Sequence, residues 1–401
     1  MKRHKANWLA LLTAFVLLLG GCTSSSGLAS SKEADSAPST PSVSQETNQT
    51  AEPVDEPTDQ SIPEEETQPD FSAYLEQMTL EEKVGQLFFA RFPEENAAAD
   101  AATYHLGGYI VFGRDFEGET PDSFRQKIAA CQETVETPLL IGVDEEGGDV
   151  VRASKYEAFR DTPFPSPQEV LSSGGLAAAA TDAAEKSAFL QDLGIQVNLS
   201  PVCDLSQNPE DYIYSRTTGQ GAEETAAYVA SVVGAMKESG MGSVLKHFPG
   251  YGANADTHTG FSVDERPLET FQTEDFLPFL AGIASGADAV LVSHNVMACV
   301  DDKTPASLSP EVHWLLRNDL NFTGVILTDD LAMAAIAEQY GDNAAILAIA
   351  AGNDMVITTD YAHDVPLVVE AVKQGEISME RLDEAVLRVL NWKYDLGLIH
   401  P

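Results

Sequence analysis

The segment KHFPGYGANADTHTG, residues 246–260, sets Lys246, His247, Asp256 and His258 among glycines. Asp256 lies two residues before His258. A carboxylate beside an imidazole stabilises the imidazolium and fixes the tautomer, which makes a general acid near neutral pH without a buried carboxylic acid. The same triplet also fits an ordinary solvated loop, and the spacing alone does not decide. Lys246 could hydrogen-bond hydroxyl groups. His247 fits a buried structural role as well as it fits substrate contact.

A second place for chemistry is GVILTDDLAM, which carries Asp329 and Asp330. Extended chain alternates faces, so Asp329 shares a side with Val325 and Leu327. A carboxylate at the mouth of an apolar barrel is a candidate nucleophile or base. Asp330 reads as the N-cap of a helix beginning in LAMAAIA. Asp144 in GVDEEGG ends another apolar run, with Arg152 soon after it and Arg216 in YIYSRTTG. Carboxylates accept from neighbouring sugar hydroxyls and arginine donates from a fixed fork, so the three suit a polyhydroxylated ligand. Either arginine also suits a surface ion pair in an acidic protein. His247, His258 and His294 show neither His-x-His nor His-Glu-x-x-His spacing, so no metal centre and no cofactor is expected.

These residues need elements to hold them. Eight strand-like runs follow one another: 84–92, 107–113, 138–148, 195–204, 242–250, 287–295, 324–330 and 353–359. Helical patterns lie between them, among them 222–239, PEVHWLLRNDL, AAILAIAAG and 378–396, the last opening on the N-cap residue Ser378. Alternation of strand and helix implies a parallel sheet closed into a (β/α)8 TIM-like barrel over residues 71–401, a single catalytic domain. Most of the runs end in polar or charged residues, where the strand C-termini of such a barrel carry the active site.

The net charge is -40, from 23 Lys and Arg against 63 Asp and Glu. Such a surface repels phosphate backbones, which excludes nucleic acid as a partner. Residues 1–22 read as a lipoprotein signal peptide: basic Lys2, Arg3 and Lys5, a short apolar run, then LGG before Cys22, the expected lipidation site. Residues 23–70, rich in Ser, Thr, Pro and Glu, read as a disordered acidic tether. Cys131, Cys203 and Cys299 are scattered and have no CxxC spacing. The protein is expected to be monomeric and extracytoplasmic, touching the bacterial cell membrane through its lipid anchor only.

In order along the chain, GVDEEGG, FPSP, LGIQVNLSPVCD, SRTTG, KHFPGYG, DTH, ASLSPEV, GVILTDDLAM and AGNDM resemble glycoside hydrolase family 3 in its bacterial β-N-acetylglucosaminidase branch. The resemblance covers nearly the whole expected domain. It implies a retaining hydrolase of oligosaccharides or muropeptides, with Asp329 as nucleophile and Asp256 with His258 as a loop-borne acid/base. It also implies sugar contacts at Asp144, Arg152, Arg216, Lys246 and His247. Tyr251 stands where the family commonly has histidine, and Asp149 stands where it commonly has arginine, which puts the leaving part of the substrate in question. A β-glucosidase or β-xylosidase, or a non-catalytic sugar-binding lipoprotein, is the alternative reading.

Overall fold

The structure is a computed structural model that describes residues 70–252 and 262–400. The expected signal peptide with Cys22, the tether up to residue 69 and the pair Asp256 and His258 therefore lie outside the described residues. Among the described residues ten strands occur: β1 Phe88–Arg91, β2 Gly108–Val111, β3 Leu140–Val143, β4 Val197–Asn198, β5 Gly242–Phe248, β6 Val263–Asp264, β7 Ala289–Val292, β8 Val296–Met297, β9 Val325–Asp330 and β10 Met355–Thr358. All but β6 and β8 form a closed barrel in the order β1-β10-β9-β7-β5-β4-β3-β2. Every pairing in it is parallel. The short strands β6 and β8 pair with each other outside it. The expected (β/α)8 barrel is thus the observed fold, and each of the eight apolar runs supplies one barrel strand.

Two apolar clusters follow from strand alternation. Phe89, Ile110, Leu140, Val244, Leu327 and Ile357 point inward and fill the barrel. Their chain neighbours Phe88, Tyr109, Ile141, Leu245, Ile326 and Val356 point outward, into the larger cluster under the helices. The C-terminal helix Met379–Asp395 begins on Ser378, whose Oγ accepts the Arg381 amide at 3.1 Å. Val389 and Trp392 of this helix join the inner cluster. Leu396, just past the helix, packs against the same cluster, and a Cβ on Gly242, the first residue of β5, would meet it at 3.3 Å. These contacts seal the end of the barrel where the strands begin, and leave the opposite end open.

The helices expected at 222–239 and 344–352 occur at Ala222–Glu238 and Ala344–Ala351. PEVHWLLRNDL begins as an α-helix, Pro310–Trp314, and continues with the wider π-helical pattern over Leu315–Asp319. One expectation fails. Asp330 does not cap a helix: β9 runs through it, and the next helix, Ala334–Tyr340, follows Met333 without a side-chain cap. The Asp330 carboxylate instead accepts the Ala332 amide at 2.9 Å, a tight local turn that delays the helix start.

Candidate active site

At the open end the inward register continues from apolar to polar. Arg91 lies two residues past Phe89, Phe112 two past Ile110, Lys246 two past Val244 and Asp329 two past Leu327. Asp144 likewise follows inward Leu140 by an even spacing. All five line one cavity of about 670 Å³, floored by Ile110, Leu199, Leu291 and Ile357. Arg152, Arg216, His247, Tyr212 and Asp330 line it too. Each expected site residue that is described, namely Asp144, Arg152, Arg216, Lys246, His247 and Asp329, is therefore found around a single space.

The cationic wall is fixed by buried carboxylates. Lys246 Nζ donates to Asp144 Oδ1 at 2.6 Å and to Glu146 Oε1 at 2.6 Å. Arg216 grips Glu146 with two bonds, Nη2 to Oε1 at 2.7 Å and Nε to Oε2 at 3.0 Å. Burial alone would raise the Glu146 carboxyl, but Arg216 and Lys246 outweigh it and hold the group well below the usual carboxylate range. Arg216 is thus no surface ion pair. Arg152 stays looser, with Nη2 3.8 Å from Asp144 Oδ2.

His247 is defined from both sides. Its Nδ1 lies 2.7 Å from Asp204 Oδ2, and its Nε2 lies 3.1 Å from Arg216 Nη2. Guanidinium can only donate, so Nε2 accepts and Nδ1 carries the proton given to Asp204. Asp204 also accepts the His247 amide at 3.1 Å and the Tyr251 amide at 2.7 Å. The Lys246–His247 peptide is cis.

The loop after β3 is built by Glu145, which points away from the cavity. It accepts the amides of Arg152 at 2.9 Å and Ala153 at 2.8 Å, and the Ser154 hydroxyl. Gly147 sits at φ 106°, and a Cβ there would meet the Pro165 carbonyl at 2.1 Å, so only glycine closes this turn. Asp149 is exposed at the tip of the turn and is not among the residues lining the cavity.

On the facing wall, the Asp330 amide donates to Asp329 Oδ1 at 2.9 Å. His294 holds the Asp330 carbonyl through Nε2 at 3.0 Å, while its Nδ1 meets Ser307 Oγ at 2.7 Å. The Asp330 carboxylate lies 3.9 Å from an Arg91 guanidinium nitrogen. Burial pushes the Asp330 carboxyl up and the neighbouring Asp329 adds to this, against the Ala332 amide and Arg91. Arg91 in turn stacks 4.1 Å from the Phe112 ring centre. Among the described residues no group of three His, Cys, Asp or Glu side chains is arranged to hold a metal ion.

Glu146, Asp204, Arg91 and Phe112 were not singled out by the sequence reading. Glu146 could have been found from its spacing of two from Asp144. Arg91 and Phe112 follow from the same inward register as Asp329.

A parallel eight-stranded barrel whose open end joins the Asp329 carboxylate to a wall of cations held by buried carboxylates is an architecture suited to a barrel glycosidase. Residues 79–392 match the glycosyl hydrolase family 3 N terminal domain, and the chain belongs to that family of glycoside hydrolases. It is 32% identical over 298 residues to a beta-hexosaminidase of Xanthomonas campestris, covering 73% of this chain and 85% of the relative. It is 30% identical over 311 residues to beta-hexosaminidase LpqI of Mycobacterium tuberculosis, covering 74% and 78%. Among solved structures, a family 3 beta-N-acetylglucosaminidase from Paenibacillus superposes with a TM-score of 0.75 at 32% identity, covering 81% of this chain. The chain spans 64% of that longer protein.

Proposed function

We propose that the protein is a retaining, exo-acting β-N-acetylglucosaminidase that removes terminal N-acetylglucosamine from peptidoglycan-derived glycans. The observation that carries this reading is Asp329, a carboxylate on the inward register of β9, facing a cavity shared with Asp144, Lys246, Arg216 and His247. The names of the relatives support the sugar. Asp329 attacks the anomeric carbon and forms a covalent glycosyl-enzyme, which water then releases with retention. Asp144 accepts from ring hydroxyls, and Arg152, Arg216, Lys246 and His247 orient the terminal sugar. The network fixes these groups before substrate arrives, so little ordering cost remains at binding. The proton for the leaving oxygen comes from His258 assisted by Asp256, on the segment that follows Gly252. A lipid on Cys22 holds the enzyme outside the cytoplasmic membrane.

The test is hydrolysis of 4-nitrophenyl N-acetyl-β-D-glucosaminide beside the corresponding glucoside, with Asp329→Ala as control. Release from the N-acetyl compound alone, with a loss of about 10³-fold or more in Asp329→Ala, is expected. Equal release from the glucoside would overturn the sugar assignment, and an active Asp329→Ala variant would overturn the mechanism. Cys22→Ser is expected to release the protein into the medium; retention on the membrane would refute the anchor.

A further inference from the structure

We propose that Tyr212 is a stacking platform for the sugar on the leaving side of the scissile bond, an inference that rests on the glycosidase reading. Three aromatic side chains run from the cavity wall to its rim. His247 is 5% exposed, Tyr251 is 2% exposed, and Tyr212 is 41% exposed. The Tyr251 ring meets His247 edge-on, with centres 5.6 Å apart, and Tyr212 lies 5.9 Å from Tyr251 on its other contact. Tyr251 thus joins a group of the sugar wall to an aromatic ring at the mouth.

The loop that carries Tyr212 is braced. Ser206 Oγ donates to Asp211 Oδ2 at 2.7 Å and Asn208 Nδ2 donates to Asp211 Oδ1 at 2.9 Å. Ile213, on the other side of Tyr212, is buried. Arg216 then anchors the end of the loop to Glu146. An aromatic ring held at a cavity mouth by a stiff loop loses little freedom when it meets a ligand. The hydroxyls of a pyranose lie mostly around its edge, so its faces present C–H groups that suit the electron-rich face of a tyrosine.

Depth orders the two rings of a disaccharide. The buried groups Lys246 and His247 take the terminal ring, and the exposed Tyr212 takes the next one outward. Tyr251, the residue that departs from the histidine usual in this family, supports Tyr212 from beneath. Its place beside Tyr212 gives that departure a role in recognising the leaving sugar.

The experiment compares N,N′-diacetylchitobiose with methyl N-acetyl-β-D-glucosaminide on the full chain, for the unaltered protein, Tyr212→Ala and Tyr212→Phe. Tyr212→Ala is expected to raise KM for the disaccharide about ten-fold. The methyl glycoside, which lacks a second ring, should keep its kcat and KM, and Tyr212→Phe should behave as the unaltered protein on both. Equal losses on the two substrates, or no loss on either, would overturn the proposal. If the unaltered protein hydrolyses neither, the hydrolase reading fails and calorimetry decides the platform separately. Weaker disaccharide binding in Tyr212→Ala, with unchanged binding of N-acetylglucosamine, would then sustain the platform; any other pattern would overturn it.

Discussion

Replacing Glu146 with glutamine is expected to weaken both the fold and the proposed sugar site. Glu146 is buried and takes three hydrogen bonds, one from Lys246 and two from Arg216. The amide keeps one acceptor oxygen but loses the charge that balances two cations. Lys246 still has Asp144. Arg216 keeps the His247 nitrogen at 3.1 Å. Removing one partner of a buried pair costs about 3–5 kcal/mol, and the retained oxygen places this variant near the lower figure, about 3 kcal/mol. In a domain of this size each kcal/mol lowers Tm by roughly 2 °C, so a fall of about 6 °C is expected by circular dichroism at pH 7. The sign with pH follows from the depressed carboxyl. Its stabilisation is complete above the unfolded value near 4.5 and is lost as pH falls from there toward the folded value. The gap between the two proteins should therefore be constant from pH 6 to 8 and close as pH drops below about 4.5. A variant that melts within a degree of the unaltered protein at pH 7 would refute the argument. So would a gap that stays the same at pH 3.

Lys393 makes an opposite case: its amine is fully buried, donates to Gln86 Oε1 at 2.6 Å, and is pushed down to about 7 by burial. That shift costs the folded state about 4 kcal/mol at pH 7, and Lys393→Met would recover it less about 1–3 kcal/mol for the orphaned Gln86 oxygen. A higher Tm at pH 7 is expected, with the gain shrinking as pH rises from about 7 toward 10.5, where the unfolded amine also loses its proton. Gly147→Ala should lower both Tm and activity, because its Cβ meets the Pro165 carbonyl and displaces Glu146; a crystal structure with Glu146 unmoved would refute the coupling. Asp330→Asn is expected to keep most of the turnover, since Asp330 contributes its amide to Asp329; a loss equal to that of Asp329→Ala would assign the Asp330 carboxyl to the chemistry. Ser378→Ala should cost about 1 kcal/mol in denaturant unfolding through loss of the N-cap, and an unchanged midpoint would remove the cap from the account.

The barrel was legible because its strands are buried on both faces. Inside and outside positions are both apolar, so each strand reads as a run with period two inside it. The same register places Asp329 past Leu327, which is how one of two adjacent aspartates could be chosen. What escaped the reading depends on contacts across the barrel. Glu146 and Asp204 sit in the quoted runs, but their roles come from Arg216 and His247, brought to them by folding. Asp330 misled for a local reason: its carboxylate closes a turn onto Ala332, a bond that competes with a cap in residues of this type. Tyr212 carried no signal, because exposure at a cavity mouth is a property of the loop and not of the residue.

The same contacts bear on where the proton for the leaving group originates. His247 lines the cavity, but its Nε2 is turned to a guanidinium and its Nδ1 to Asp204, so it has no proton to offer in the direction of a substrate. His294 stands beside Asp329, the proposed nucleophile, with one nitrogen on the Asp330 carbonyl and the other on Ser307. Asp144 is engaged by Lys246 Nζ at 2.6 Å and faces Arg152. Each of these groups is arranged to hold or to orient. An acid that must give up a proton in one step and recover it in the next needs a side chain outside this fixed network. Asp256 and His258, on the glycine-flanked segment after Gly252, supply that chemistry in the proposed mechanism. His258→Ala should accordingly slow substrates with poor leaving groups far more than activated aryl glycosides, while equal losses on both would count against His258 as the acid.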